Sequence, residues 1–282
     1  MNNTDQELKF FWVVALRPEA NALIEKFNLK SFSNHFNFPI YLNRKNGHAL
    51  VISGVGAIKS AVATMYLNNI FNPGQFVAWI NIGIAGHFQG PVGTLFQAIK
   101  VVNNDNGKSF FPGLRFSKLV KAAELYTVSS SENEFALPVL YDMEAAGFCE
   151  IAPSLSCNEL TFVLKIVSDT SEQSQSLVTK KMIADLFKKN SAMIDNLLQA
   201  VAEIVDRERA RLGDPIEMDG IMCSLHFTET NRLRFRKIYK KWWCLFPNKS
   251  LVERAQKASS ARELMQSMEL DIALEAQSWK LK

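Results

Sequence analysis

An α/β fold, with one sheet covered by helices on both faces, is predicted by three features of this 282-residue sequence. Short apolar runs rich in β-branched and aromatic residues alternate with stretches of helical periodicity. Glycine turns close several of those runs. No apolar stretch approaches the roughly 20 residues that a membrane-spanning helix needs.

The elements follow in order. "KFFWVVAL" (9–16) is a strand, and in the next segment Ala20, Leu23, Ile24 and Phe27 recur at helical spacing, with Pro18 in the first turn, where a missing N–H costs nothing. "HALVISGVG" (48–56) is a second strand ending in a glycine turn, and "AIKSAVATMYLNNIF" is the helix after it. "QFVAWINIGIAG" (75–86) is a buried strand ending in Gly83 and Gly86, and "GTLFQAIKVV" (93–102) is a fourth strand. "VVNNDNGKSFFPG" (101–113) is a turn leading to an aromatic pair, read as a packed corner ahead of a lid, and "VSSSENE" (128–134) is a polar loop. "LPVLYDMEAAGFCEIA" is strand then helix, and "LTFVLKIVSD" (160–169) is a strand. Residues 179–212 read as a long amphipathic helical region.

Charge divides the chain. Residues 1–205 carry 17 basic and 17 acidic side chains, whereas residues 206–282 carry 15 and 11, so the whole net charge of +4 lies in the tail. We therefore expect two units, an α/β domain over 1–205 and a basic, mainly helical extension over 206–282. Cys149, Cys157, Cys223 and Cys244 have neither C-x-x-C spacing nor a paired histidine, and the four histidines (35, 48, 87, 226) are scattered. That pattern predicts reduced thiols, no metal and no other cofactor. The N-terminal "MNNTDQELKFFWVVAL" lacks a basic segment ahead of its apolar run, so no secretory signal is expected and the placement is cytoplasmic.

In α/β sheets, ligands bind beyond the carboxyl ends of the strands. Glu19, Gly54, Gly56, Gly83, Gly86, Glu144 and Asp169 all fall there. The segments "VALRPEANAL", "SGVGAIKSAVAT", "INIGIAGHFQGPVGTL" and "LYDMEAAGFCEIA…FVLKIVSDTSEQ", in this order, resemble the purine nucleoside phosphorylase and nucleosidase superfamily over about residues 9–205. The likeness is greatest to methylthioadenosine/S-adenosylhomocysteine nucleosidases. The D-M-E-A and S-D pieces are the most specific.

The resemblance implies a mixed central sheet flanked by helices and cleavage of a purine-type nucleoside, with self-association as a homo-oligomer. It places Met143 against the ribose and Glu144 on the ribose hydroxyls. It makes Asp169, beside Ser168, the acid that protonates the leaving base at N7, and Glu19 the carboxylate that activates water. Gly54, Gly83 and Ile84 fall in its substrate-binding turns. Phosphorylases place basic residues near the Glu19 position to hold phosphate, so the carboxylate points to hydrolysis, and Arg17 keeps phosphorolysis open. The departures are Ile84 in place of a hydroxyl, His87 in place of a glycine, Lys165 in place of an arginine, and a shortened span from Gly93 to Met143. These leave a non-catalytic nucleoside- or nucleic-acid-binding protein as the third reading.

The residue types suit the chemistry on their own terms. Breaking an N-glycosidic bond develops cationic character on the sugar and negative charge on the base. An acid that keeps its proton near neutrality needs a desolvated carboxyl, and Asp169 follows the apolar "FVLKIV". Each carboxylate also has a plain structural alternative. Asp142 is most simply a helix N-cap, Glu144 and Glu19 favour the dipole in first helical turns, and Asp169 caps a polar turn.

The tail segment "NRLRFRKIYKKWWCLF" (231–246) sets six basic residues among aromatics with no acid. Nucleic acid is one reading of such a run. The favoured one is an amphipathic helix whose Leu233, Ile238, Trp242 and Leu245 pack on the main domain while Lys and Arg are solvated. Residues 259–279 are helical, with a capping serine.

Overall fold

A computed structural model describes residues 8–33, 38–130, 137–171, 178–213 and 216–280. His35, residues 131–134 of the polar loop and residues 172–173 of "SDTSEQ" lie outside them. Two compact units divide the chain, Met1–Ala210 and Arg211–Lys282.

The first unit begins with β1 (Phe10–Val14), α1 (Arg17–Lys26), β2 (Lys30–Ser33), β3 (Ile40–Asn43), β4 (His48–Ile52) and α2 (Ala57–Phe71). It continues with β5 (Ala78–His87), β6 (Leu95–Asn103), β7 (Ser109–Phe110), β8 (Lys121–Thr127), β9 (Leu140–Asp142) and α3 (Ala145–Leu155). β10 (Thr161–Thr170), α4 (Lys180–Lys189) and α5 (Ser191–Leu212) follow. β1 runs parallel to both β4 and β5, and β5 parallel to β10. β10 also pairs antiparallel with β6, β6 parallel with β8, β8 parallel with β9, and β9 antiparallel with the end of β5. The mixed sheet thus closes into a barrel through β5, β10, β6, β8 and β9, and extends as an open sheet through β1, β4, β3 and β2.

Strand alternation sends successive side chains to opposite faces, and the two faces carry separate cores. Trp12, Leu50, Ile82 and Leu164 pack with Leu23 of α1, Phe187 of α4 and Leu197 of α5. Phe11, Trp79 and Val163 pack on the other face with Leu67 of α2 and Phe148 of α3.

Four strands have no counterpart in the sequence reading. β2 and β3 are four-residue pieces at the sheet edge, and β7 has two residues, too short for periodicity to register. β8, "KAAELYT", has the composition of a helix but is held extended between β6 and β9, where pairing overrides propensity. The long helical region expected over 179–212 is built of two helices. α4 ends at Asn190, whose buried side-chain amide donates to the Gly93 and Leu186 carbonyls. At the aromatic pair, Phe110 packs against the core while Phe111 stays exposed, and neither lines the cleft described below.

α2 and α3 approach closely at Gly147. A Cβ there would lie 1.8 Å from the Ala57 carbonyl oxygen, a backbone atom. Gly147→Ala is therefore expected to force the helices apart at a cost of about 3 kcal/mol, lowering Tm by roughly 6–12 °C in a thermal melt. An unchanged Tm would contradict the packing that fixes the start of α3.

The second unit contains α6 (Ile216–Ser224), α7 (Glu229–Leu245), α8 (Val252–Lys257) and α9 (Ala261–Lys280). Its core is its own: Phe235, Ile238, Tyr239 and Trp242 of α7 pack with Met218, Leu251, Leu264 and Met268. This corrects the expected helix face, because Leu233 is 63% exposed and Phe235 is buried. Among the described residues, no helix is long and apolar enough to cross a membrane.

Candidate active site

At the carboxyl ends of β1, β4, β5 and β10 lies a cleft of about 110 Å³. Its wall takes Ala15 and Leu16 after β1, Glu19 from α1, Val55 after β4, and Ile84, Ala85 and Gly86 from β5. Val128 follows β8, the run Tyr141 to Glu144 spans the end of β9 and the entry to α3, and Ser168 and Asp169 come from β10. Residues distant in sequence meet because β9 crosses the end of β5, pairing Tyr141 with Gly86.

Glu19 is 2% exposed. Its Oε2 accepts from the Leu16 amide at 2.8 Å and its Oε1 from the Ile84 amide at 2.7 Å. The carboxylate therefore caps its own helix and also anchors to β5. Gly83 makes room for it, since a Cβ there would sit 2.9 Å from Glu19 Oε1. Burial pushes this carboxyl up to about 7, against the opposing effects of the two amides and of Lys165, with Glu144 adding to the rise.

Glu144 is itself the N-cap residue of α3, one position ahead of the first-turn placement expected. Its Oε1 accepts from the Gly56 amide at 2.9 Å. The turn that presents this amide has Gly54 at φ +77° and Gly56 at φ +111°, left-handed backbone that side chains strain. Gly54 and Gly83 are not among the residues lining the cleft, and from the glycine turn it is Val55 that lines it. Burial, followed by repulsion from Asp142, raises Glu144 above the usual carboxylate range.

Asp142 does what an N-cap does, accepting from the Ala145 amide at 2.8 Å, but it does more. Its Oδ2 pairs with Lys165 Nζ at 2.8 Å, and its Oδ1 accepts from Thr127 Oγ1 at 2.7 Å. The sequence reading had no pairing for Lys165 and missed Thr127. Covariation or a visible strand at β8 would have been needed to find them.

The β5–β10 register slips between Val167 and Asp169. Strict alternation would send Ser168 and Asp169 to opposite faces, and the bulge lets both line the cleft. Ser168 Oγ donates to Asp169 Oδ1, and burial raises Asp169 against that bond. Met143 and Ile84, half-buried, complete the wall without filling the cleft.

Arg17 turns away. Its guanidinium lies over the Tyr41 ring at 4.9 Å and donates to the Tyr41 hydroxyl. His87 is also occupied, its Nδ1 accepting from the Gln89 and Gly90 amides at 3.1 and 2.7 Å. Among the described residues lining the cleft there are four acidic residues, of which Asp142 has its side chain fully buried against Lys165, and no basic one. The one group with possible metal-ligating geometry among the described residues, Cys157, Glu159 and Glu208, lies outside the cleft wall.

No protein-family model matches the sequence, and no curated protein matches it. Solved structures do share its fold, which is the nucleoside phosphorylase/nucleosidase fold. It is similar to an Arabidopsis thaliana 5′-methylthioadenosine nucleosidase in apo form, at 18% identity, 71% of this chain, 96% of that chain and TM-score 0.56. It is similar, too, to the 5′-methylthioadenosine/S-adenosylhomocysteine nucleosidase of Neisseria meningitidis in complex with methylthio-immucillin-A, at 18% identity, 68% and 99% coverage and TM-score 0.55. The corresponding Helicobacter pylori enzyme with butyl-thio-DADMe-Immucillin-A gives 16% identity, 67% and 99% coverage and TM-score 0.54.

Proposed function

We propose that this protein hydrolyses the N-glycosidic bond of a purine-type nucleoside. The observation that carries hydrolysis over phosphorolysis is the charge of the cleft. Glu19, Glu144 and Asp169 line it with no cation among the lining residues, Asp142 is spent on Lys165, and the nearby Arg17 is committed to Tyr41, so no basic side chain is placed to hold a phosphate co-substrate. The nucleoside analogues bound by the Neisseria and Helicobacter enzymes support the substrate class.

In this reading Glu19 takes a proton from water, whose oxygen attacks the anomeric carbon as the bond to the base breaks. With its carboxyl at about 7, a large share is ionised at neutral pH. Asp169, raised by burial, delivers its proton to N7 of the leaving base, with Ser168 orienting it. Glu144, fixed by the Gly56 amide, accepts from the ribose hydroxyls and faces the developing positive charge, and Met143 packs on the sugar. The products are free base and ribose, and solvent returns the proton from Glu19 to Asp169.

Purified protein incubated with a panel of purine nucleosides is expected to release free base equally with and without phosphate. Strict dependence on phosphate, with ribose 1-phosphate as product, would overturn the reading.

A further inference from the structure

Beneath the cleft wall, Lys165 is 1% exposed and is surrounded by acids: Asp142 and Glu144 from β9 and the start of α3, and Glu19 from α1. The Cys149 thiol of α3 is in the same field. The sheet register explains the meeting. Lys165 of β10 pairs directly with Gly83 of β5, and opposed residues project to the same face. At Gly83 there is no side chain, and the Glu19 carboxylate occupies that space. Glu19 thus stands beside Lys165, across one pair of strands.

Resting on the hydrolytic reading, we propose that Lys165 is a positioning residue whose charge keeps Glu19 an available base, and that Asp142 fixes how much of that charge Glu19 feels. Asp142 is clamped by the Thr127 hydroxyl, the Ala145 amide and the Lys165 ammonium, so Nζ is held at one point. Burial alone would favour loss of the ammonium proton, but Asp142, Glu144 and Glu19 together outweigh it and Lys165 stays charged. Three acids then share one cation. Without it, Glu19, Asp142 and Glu144 would confront one another in a largely desolvated space, and Glu19 would hold its proton through neutrality.

The relation gives opposite signs for two substitutions. Lys165→Met removes the cation and moves the titration of Glu19 upward. Asp142→Asn keeps the shape and an acceptor for Nζ but removes the acid nearest Lys165; with Glu144 and Glu19 left to hold the ammonium, more of its field falls on Glu19, whose titration moves downward. Each shift should be about one pH unit or more, the effect of a charge within a few ångströms. Lys165→Arg, which keeps the charge, should hold the unmodified titration even where its larger head group lowers the rate.

The experiment reads Glu19 twice, by infrared difference spectra of the carboxyl band against Glu19→Gln, and by the pH dependence of kcat. Opposed shifts in the two variants support the proposal. Shifts in the same direction, or a rate lost equally at every pH with the carboxyl band unmoved, would overturn it. If Lys165→Met does not fold, Asp142→Asn decides by the direction of its shift. The infrared titration needs no turnover, so an inactive unmodified protein would sink the hydrolytic reading separately from the charge relation.

Discussion

Asp169→Asn is expected to lower kcat by about 10²–10⁴-fold while leaving Tm and KM close to those of the unmodified protein. The amide has the same shape and still accepts from the Ser168 hydroxyl, so the bulge that turns this segment into the cleft is not disturbed. What is lost is a proton that can be transferred. Without it, the base must leave as an anion into a cleft already lined by carboxylates, and that repulsion falls on the transition state. Loss of rate with intact binding of a non-cleavable nucleoside analogue identifies Asp169 as the acid. An unaffected rate would remove it from the chemistry. A rise in KM with kcat unchanged would recast it as a binding residue.

Much of the sheet was legible because the strands that build it are buried on both faces. β1, β4, β5 and β10 read as short apolar runs, and the helices between them repeat at 3.6 residues. Legibility ended where tertiary pairing decided the matter. Nothing in "KAAELYT" specifies a strand until β6 and β9 are beside it, and the closure of the barrel is likewise a property of pairing. The site followed the same division. Glu19, Glu144 and Asp169 stand at strand ends, which sequence position reveals. Lys165 in an apolar run reads as an isolated cation, because its partner Asp142, 23 residues earlier, belongs to a strand that is a neighbour only through the closed sheet. Leu233 and Phe235 show the limit for helices, where nearly equal periodic fits choose different faces and only the packed core distinguishes them.

Glu19→Gln is expected to change how stability depends on pH, as well as abolishing water activation. In the unfolded chain Glu19 titrates at the ordinary 4.5, and in the fold burial pushes it up to about 7. Below 4.5 both states hold the proton, and its stabilising contribution is fully present. Between 4.5 and about 7 the unfolded chain has released the proton and the native state has not, so stability falls as pH rises. Above that both are ionised, and the loss reaches about 3 kcal/mol. Glutamine does not ionise and lacks this slope. Its amide also faces a backbone N–H at Leu16 or Ile84, an offset of about 1–3 kcal/mol that is the same at every pH. The informative quantity in chemical denaturation is therefore the difference, variant minus unmodified, which should climb by about 3 kcal/mol from pH 4 to 8. His48 opposes Glu19 in the unmodified protein and acts alone in the variant. Buried and accepting from Trp12 Nε1 at 3.0 Å, it is lowered from 6.5 to about 4, so its contribution is present above 6.5 and lost as pH falls towards 4. That slope is common to both proteins and cancels in the difference. A flat difference would mean that Glu19 ionises as freely in the fold as in water, and then the burial that makes it a base near neutrality would be absent. A climbing one would show that the ionised carboxylate required for attack by water is a state the folded protein resists, held in reach by two amides and the neighbouring lysine.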